Sequence, residues 1–435
     1  MVSFNLVVPV PASAGMEERP TVVLQGHIDM VCEKTADSPH DFSRDPIRSS
    51  AEGDWLVADR TTLGADNGMA LAYALSLAED RTIRRPPIEL LFTVDEETGL
   101  TGVQKLDPGL ISGEILINLD SEDEGVFTIG CAGWVETTLS MGLPFASPPP
   151  DANLCRIIVG GLKGGHSGLD MDKSRGSANK ILARTLAGIG RRAPFQIVAL
   201  RGGTRHNAIA RDGEAVLACR GSDAGLVRQA VAQLGQALGR EYAAADPGFY
   251  VHIEPHCGPA PFALTWENSQ QVFALPLAQP HGVAGMSGAF PGVVETSSNL
   301  ATVTAGEGGM RILTSQRSAG ASKLEAITET IHAVAELAGA VVRDENRYPP
   351  WEPDMGVPLL KTSQKVYRGL YGEEPGLQVI HAGLECAVIG GLCPGMQMIS
   401  FGPTIRNSHS PAEKLYIPSV GKVWRFLVAL LEALD

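Results

Sequence analysis

Three apolar runs early in the chain end in groups that an apolar strand has no reason of its own to carry. VVLQGHID, residues 22–29, closes on His27 and Asp29; LLFTVDEETG, residues 90–99, on Asp95, Glu96 and Glu97; and ILINLDSED, residues 115–123, on Asp120. Side chains two apart on an extended chain point the same way, so His27 and Asp29 face one side. Between the runs lies the helix-like NGMALAYALSLAED, residues 67–80, and strands alternating with helices argue for an α/β layer built on a mainly parallel sheet. Ligands of open α/β sheets bind beyond the carboxyl ends of the strands. Here those ends carry carboxylates, and like charges gathered at one edge call for a cation.

Two further segments add to the same edge. TLGADNG puts Asp66 at the opening of the helix, and RNSHSPAEK puts His409 in a Ser/Pro loop just after the strand-like MQMISFG. Nitrogen and oxygen donors from five separated segments form a divalent transition-metal set, with zinc first and manganese or cobalt as alternatives.

The rest of the chain sets the frame. Its 435 residues exceed one ordinary core and predict two domains. Pro, Ser and Asp interrupt the pattern at MGLPFASPPPDANL, residues 141–154, and prolines and charges do so again at VVRDENRYPPWEPD, residues 341–354. Between them LCRIIVGGLKGG and FQIVALRGG read as strands, and SANKILARTLAGIG and AGLVRQAVAQLGQALGREY as helices, the texture of an α+β domain. The C-terminal part returns to α/β texture and closes on the amphipathic VGKVWRFLVALLEAL. The economical arrangement is a catalytic domain of residues 1–133 and 346–435, with a parallel sheet flanked by helices, and an inserted α+β lid domain of residues 134–345.

A formal charge of −14 disfavours nucleic acid as a partner, and the seven cysteines, in no CxxC spacing, read as reduced thiols. No window approaches eighteen uninterrupted apolar residues, which argues against a membrane span. The apolar opening MVSFNLVVPVPASAG lacks a leading positive charge and contains prolines, so FNLVVPV reads as a strand rather than a signal. These features predict a cytoplasmic protein.

The motifs GHIDMV, LGADNG, DEETGLTG, LDSEDEG, GGHSG and SHSP resemble those of the di-zinc exopeptidases, a group that includes carnosinase-type dipeptidases and tripeptide aminopeptidase. LINLDSEDEGVFTIGCAG, GLKGGHSGLDM, RHNAIAR and HAGLECAVI resemble, within that group, the aminoacyl-histidine (Xaa-His) dipeptidases, and the likeness runs over nearly the whole chain. The resemblance implies two metal ions, the first held by His27 and Asp120, the second by Glu97 and His409, with Asp66 bridging and a cis peptide after it. It makes Glu96 the general base, Asp29 the residue that orients His27, and His166 a donor to the oxyanion. Asn207 and Arg317 would grip the substrate's carboxylate, and Glu385 its ammonium. A small peptide substrate and a homodimer follow from the same likeness.

Two departures from the family stand out. Trp134, in CAGW, replaces the usual glycine, which predicts an altered hinge. The sequence begins almost inside FNLVVPV, before which the family carries a helical segment; either the true start lies upstream or this is a short form, for which a lost packing layer and reduced stability with the metal site intact are expected. The expected activity is hydrolysis of dipeptides with free amino and carboxyl ends. The alternatives are a broader aminopeptidase or tripeptidase, an N-acyl amino-acid hydrolase on the same scaffold, or a truncated non-catalytic form.

Overall fold

The Val22–His27 strand is buried at all six positions, as expected of a central parallel strand covered on both faces. Its neighbours are Ile88–Thr93 and Ile115–Asn118, both parallel to it. The full sheet has seven strands in the order Leu6–Val10, Ile88–Thr93, Val22–His27, Ile115–Asn118, Gln397–Ser400, Val126–Cys131, Gly376–Ile380. Four of the six neighbouring pairs are parallel; Leu6–Val10 pairs antiparallel at one edge and Val126–Cys131 meets Gln397–Ser400 antiparallel. The sheet is mainly parallel and the fold is α/β. The structure is a computed structural model that describes residues 4–148, 150–258, 260 and 262–434. Residues 1–3 of the apolar opening and residue 149 of the Pro-rich stretch at 141–154 thus lie outside the described residues.

The chain divides into two units, one of Met1–Cys131 with Trp351–Asp435 and one of Ala132–Pro350. In the first unit, aromatic packing ties helices to the sheet. Phe127 of the Val126–Cys131 strand stacks on Phe426 of the Ile417–Ala433 helix at 5.0 Å, and Phe401 meets Phe426 edge-on at 4.8 Å. Tyr367 of the Pro358–Tyr371 helix closes the group, 5.6 Å from Phe127. Each such side chain contributes roughly 1.5–3 kcal/mol on burial, an upper bound because unfolded chains already hide some surface. A separate small sheet joins Ser49–Glu52, Trp55–Ala58, Lys414–Tyr416 and Ile405–Arg406.

The second unit is an antiparallel nine-stranded sheet with the helices Ala178–Gly190, Ala224–Tyr242, Trp266–Ala278 and Ala321–Leu337. The charged stretch VVRDENRY, which reads as part of a join, is instead its edge strand Val341–Tyr348. Charges suit an edge, where they discourage pairing with another chain. Trp134 is buried in the Gly133–Met141 strand of this unit, and its indole N–H donates to Ser315 Oγ at 3.0 Å.

Gly26 lets the helix Ala65–Glu79 lie against the Val22–His27 strand. A Cβ there would fall 2.3 Å from Ala70 Cβ and 2.4 Å from Asn67 Oδ1. Gly26→Ala is therefore expected to lower stability by ~1–3 kcal/mol through overpacking, measured by urea unfolding of the metal-free protein. An unchanged midpoint would mean that the helix is free to shift away.

Candidate active site

The sheet register sets the site. His27 pairs with Thr93, Gln25 with Asn118, and Asn118 with Ser400, so the parallel strands end level at one edge. Just beyond that edge lie Asp29, the turn holding Glu96 and Glu97, and Asp120. The turn starts at Asp95, whose φ is 55°, and is closed by Leu100 N–H donating to the Glu96 carbonyl at 2.9 Å. Asp66 is the second residue of the Ala65–Glu79 helix but has non-helical backbone angles, as does Asn67, and the peptide bond between them is cis. His409 sits in the loop between Ile405–Arg406 and Lys414–Tyr416 at a φ of 61°.

Asp66 offers one oxygen to each imidazole. Its Oδ1 lies 3.2 Å from His27 Nε2, and its Oδ2 lies 3.0 Å from His409 Nε2. His27 Nε2 is also 3.4 Å from Asp120 Oδ1, and His409 Nε2 is 3.1 Å from Glu97 Oε2. On the far side of the His27 ring, Nδ1 is 2.9 Å from the Asp29 carbonyl oxygen. A carbonyl only accepts, so this contact assigns the ring proton of the neutral form to Nδ1 and turns the Nε2 lone pair toward the acids. The Asp29 carboxylate is farther from the ring, at 3.6 Å, and accepts the backbone N–H groups of Glu96 (3.2 Å) and Glu97 (3.1 Å). Asp29 thus touches His27 through its backbone and fixes the acidic turn through its side chain.

The electrostatics follow from crowding. Burial disfavours charge on His27, yet Asp120, Asp29 and Asp66 outweigh it and hold its pKa far above the imidazole range. Hydrogen bonds to Asp66 and Glu97 push His409 up to about 11. Burial would raise Asp66, and the two imidazoles hold it below the usual carboxylate range instead. Asp120 is pushed up to about 6, by burial first, with His27 opposing and Asp66 and Glu97 adding repulsion. Glu96 lies well above its ordinary value, raised by burial and by Asp120.

With both imidazoles protonated and all five carboxylates of Asp29, Asp66, Glu96, Glu97 and Asp120 ionised, the charges would sum to minus three, and the raised Glu96 and Asp120 reflect the cost of holding that charge in a buried site. Such an excess is costly in a poorly solvated site unless a cation offsets it. Ligand atoms of His27, Asp66 and Glu97 lie within 4.8 Å of one another, and the buried Glu97 Oε1 has no hydrogen-bond partner. The donors, imidazole nitrogen and carboxylate oxygen without thiolate, fit divalent metal.

Asn67 was not assigned a role from sequence, yet it ties the Asp66 segment to two strands. Its Oδ1 accepts the His27 N–H at 3.2 Å and its Nδ2 donates to the Leu119 carbonyl at 2.9 Å. Its place beside Asp66 in LGADNG was the available signal.

Glu385, expected at the substrate's ammonium, has no exposed surface. Its Oε2 accepts from Gln25 Nε2 and from Thr93 Oγ1 (2.6 Å). Gln25 continues to Asn118 at 2.5 Å, and Asn118 Oδ1 accepts from Ser400 Oγ at 2.5 Å. Glu385 is thus a buried carboxylate bonded to the sheet through Oε2, with Oε1 unpartnered and the charges of His27 and Asp120 acting on it.

In the second unit, Gly165–His166 pairs with Ala208–Ile209, and Ser167 N–H donates to the Asn207 carbonyl at 2.8 Å. This places Asn207, whose residue is exposed, on the segment beside His166. His166 Nδ1 accepts the N–H groups of Gly168 and Leu169, each at 3.2 Å, which leaves the proton of the neutral ring on Nε2. Arg317 is buried, with Nη1 3.5 Å from Tyr348 Oη and its guanidinium carbon 5.9 Å from the centre of the Trp134 ring.

The model of peptidase family M20/M25/M40 matches residues 23–433. The chain is 36% identical over 428 residues to the cytosol non-specific dipeptidase of Escherichia coli (strain K12), covering 98% of this chain and 88% of that protein. The crystal structure of aminoacylhistidine dipeptidase from Vibrio alginolyticus superposes with a TM-score of 0.87 at 38% identity, over 99% of this chain and 88% of that one. Aminopeptidase PepT from Bacillus cereus shares the fold, with a TM-score of 0.53 at 18% identity, over 99% and 84%.

Burial first of all pushes Glu385 up to about 7. The folded state then binds this proton more tightly than the unfolded state, so the group's contribution is best below about pH 4.5 and is lost as pH rises toward 7. Between pH 5 and 8 the metal-free native protein is expected to lose ~2–3 kcal/mol of stability relative to Glu385→Gln. Urea unfolding of both proteins across that range checks this; a gap that stays constant with pH would refute it.

Proposed function

We propose that this chain, which belongs to peptidase family M20/M25/M40, hydrolyses dipeptides with a free amino and a free carboxyl end, Xaa-His peptides among them. It is a peptide-bond hydrolase of a metallopeptidase family. The observation that carries the reading is the Asp66 carboxylate with one imidazole on each oxygen, at 3.2 and 3.0 Å. A carboxylate shared in this way suits a bridge between two cations.

His27 and Asp120 would hold one ion and Glu97 and His409 the other, with zinc first and manganese or cobalt as alternatives. Two such ions acidify water and stabilise charge that builds on the scissile carbonyl oxygen. Glu96 accepts the proton of the attacking water as its oxygen bonds to the carbonyl carbon, then delivers it to the amine as the C–N bond breaks. Burial and the neighbouring Asp120 raise the Glu96 pKa, which suits a group that must carry a proton between two steps. Asp29 fixes the turn from which Glu96 acts. His166, with its proton on Nε2, would donate to the oxyanion, and Asn207 and Arg317 would take the terminal carboxylate, with Ala132–Pro350 serving as a lid.

A cytoplasmic location and a homodimer belong to the same proposal. The cysteines form no disulfide, among the described residues no helix is long and apolar enough to cross a membrane, and the E. coli relative is a cytosol dipeptidase. The homodimer rests on the family resemblance.

Metal removal followed by graded zinc or manganese addition tests the reading on β-Ala-His, Gly-Gly, Leu-Leu and an N-acetylated control. Activity should return at about two ions per chain and spare the acetylated peptide. Comparable cleavage of the acetylated peptide would favour an N-acyl amino-acid hydrolase, and failure to bind metal would overturn the centre. Glu96→Gln should keep both ions and lower kcat about a hundredfold to ten-thousandfold.

A further inference from the structure

Glu413 is a buried acid of the first unit that the mechanism leaves unused. Glu413 is 3% exposed and follows His409 by four residues in the loop between Ile405–Arg406 and Lys414–Tyr416. Its carboxylate reaches no metal-ligating side chain. It accepts the backbone N–H groups of Leu63 (2.7 Å) and Gly64 (3.1 Å) on Oε2, and those of Ala65 (2.8 Å) and Asp66 (3.4 Å) on Oε1. These consecutive amides open the Ala65–Glu79 helix, where no residue of the segment caps them with its own side chain. A charged acceptor is the strongest partner such amides can have. The contact lies by a small apolar cluster of Ala65, Ile405 and Leu415, where an unpaired amide or carboxylate would be costly.

We propose that Glu413 is a positioning residue that sets Asp66 and His409 at their mutual distance before any metal arrives. The proposal rests on the reading of Asp66 as the bridging ligand. Loop and helix are joined at two points. Glu413 grips the backbone that carries Asp66, while His409 Nε2 stands 3.0 Å from Asp66 Oδ2. The stretch between these grips is itself braced. Ser410 Oγ donates to the Asn407 carbonyl at 2.7 Å, and Glu413 N–H donates to the Ser410 carbonyl at 3.0 Å. Asn407 Nδ2 also reaches the Ala412 carbonyl at 3.3 Å. The spacing from His409 to Glu413 is thus fixed within the loop, so anchoring one end places the other. Asn67 supplies the complementary anchor toward His27 and Leu119.

Residues that orient ligands typically change metal affinity about 10–100-fold when removed. In the full-length chain, Glu413→Gln is expected to weaken binding of the second zinc or manganese ion by that factor. The same change should lower kcat with little change in KM. Glu413→Asp keeps the charge and should recover part of both. Hydrogen exchange on metal-free protein supplies a readout independent of turnover. In Glu413→Gln the amides of residues 63–66 should exchange at least about tenfold faster than in the native chain, while those of Val22–His27 stay protected. Native protection at 63–66 with native metal affinity would overturn the proposal. A uniform loss of protection in both variants would also overturn it, because Glu413 would then serve general stability. If the native chain binds no metal, the bridging-ligand reading fails, whereas selective exchange at 63–66 would still report the clamp.

Discussion

Like charge held at one sheet edge is the constraint on which the rest of the first unit depends. Parallel strands that end level deliver His27, the Glu96–Glu97 turn and Asp120 to one place, and the helix start and a later loop add Asp66 and His409. Burial of these carboxylates, and the repulsion among them, work against the folded state, as the raised Asp120 and Glu96 show. An arrangement of this kind persists only if the surrounding structure over-determines it, and it gains its return when cations bind. The imidazoles serve both conditions, since each offers the same Nε2 atom to a proton or to a metal.

The over-determination is visible one layer down. Gly26 clears the space into which Asn67 and Ala70 fit, Asn67 bonds to the backbone of both flanking strands, and Glu413 holds the preceding four amides. Beneath them Glu385, Thr93, Gln25, Asn118 and Ser400 form a chain of hydrogen bonds that extends through Ser121 to Thr128. The chain runs across adjacent strands of the sheet, so it fixes their register where His27 and Asp120 emerge. Buried polar networks reward complete satisfaction, and the neutral amides here pair on both ends. Glu385 Oε1, left without a partner, is the exception, and burial first and the nearby Asp120 next hold its proton toward neutral pH.

Much of this was legible in the sequence because it is local. Buried parallel strands read as apolar runs, and an acid or histidine at the end of such a run is conspicuous, as at His27 and Asp120. The helices 177–190 and 224–242 showed in their periodicity for the same reason. What sequence could not deliver depends on contacts between distant segments. Glu413 is one acid in SHSPAEK until the fold brings it to residues 63–66, nearly 350 positions away. That Glu385 is buried and bonded to Gln25 and Thr93 is likewise a tertiary fact. The Val341–Tyr348 strand was missed because an edge strand carries charges that imitate a linker. Trp134 was expected to matter at a hinge; within its own unit it is a packed residue beside Tyr348 and Arg317.

The different neighbours of Glu96 and Glu97 follow from the same geometry. Adjacent residues of a regular strand would point to opposite faces, and adjacent residues of a helix would diverge by about a hundred degrees. Neither would let one carboxylate meet His409 while its neighbour answers to Asp120 and His27. The turn that begins at Asp95 escapes both periodicities, and Asp29 holds it by accepting the N–H of each glutamate in turn. Because Asp29 also receives the Nδ1 proton of His27 on its carbonyl, one residue sets the tautomer of His27 and the placement of Glu96 together. Loss of that side chain would free the turn while leaving the backbone contact to His27 in place. Glu96 and Glu97, in the turn after the Ile88–Thr93 strand, are therefore held as a pair by the residue that also touches His27.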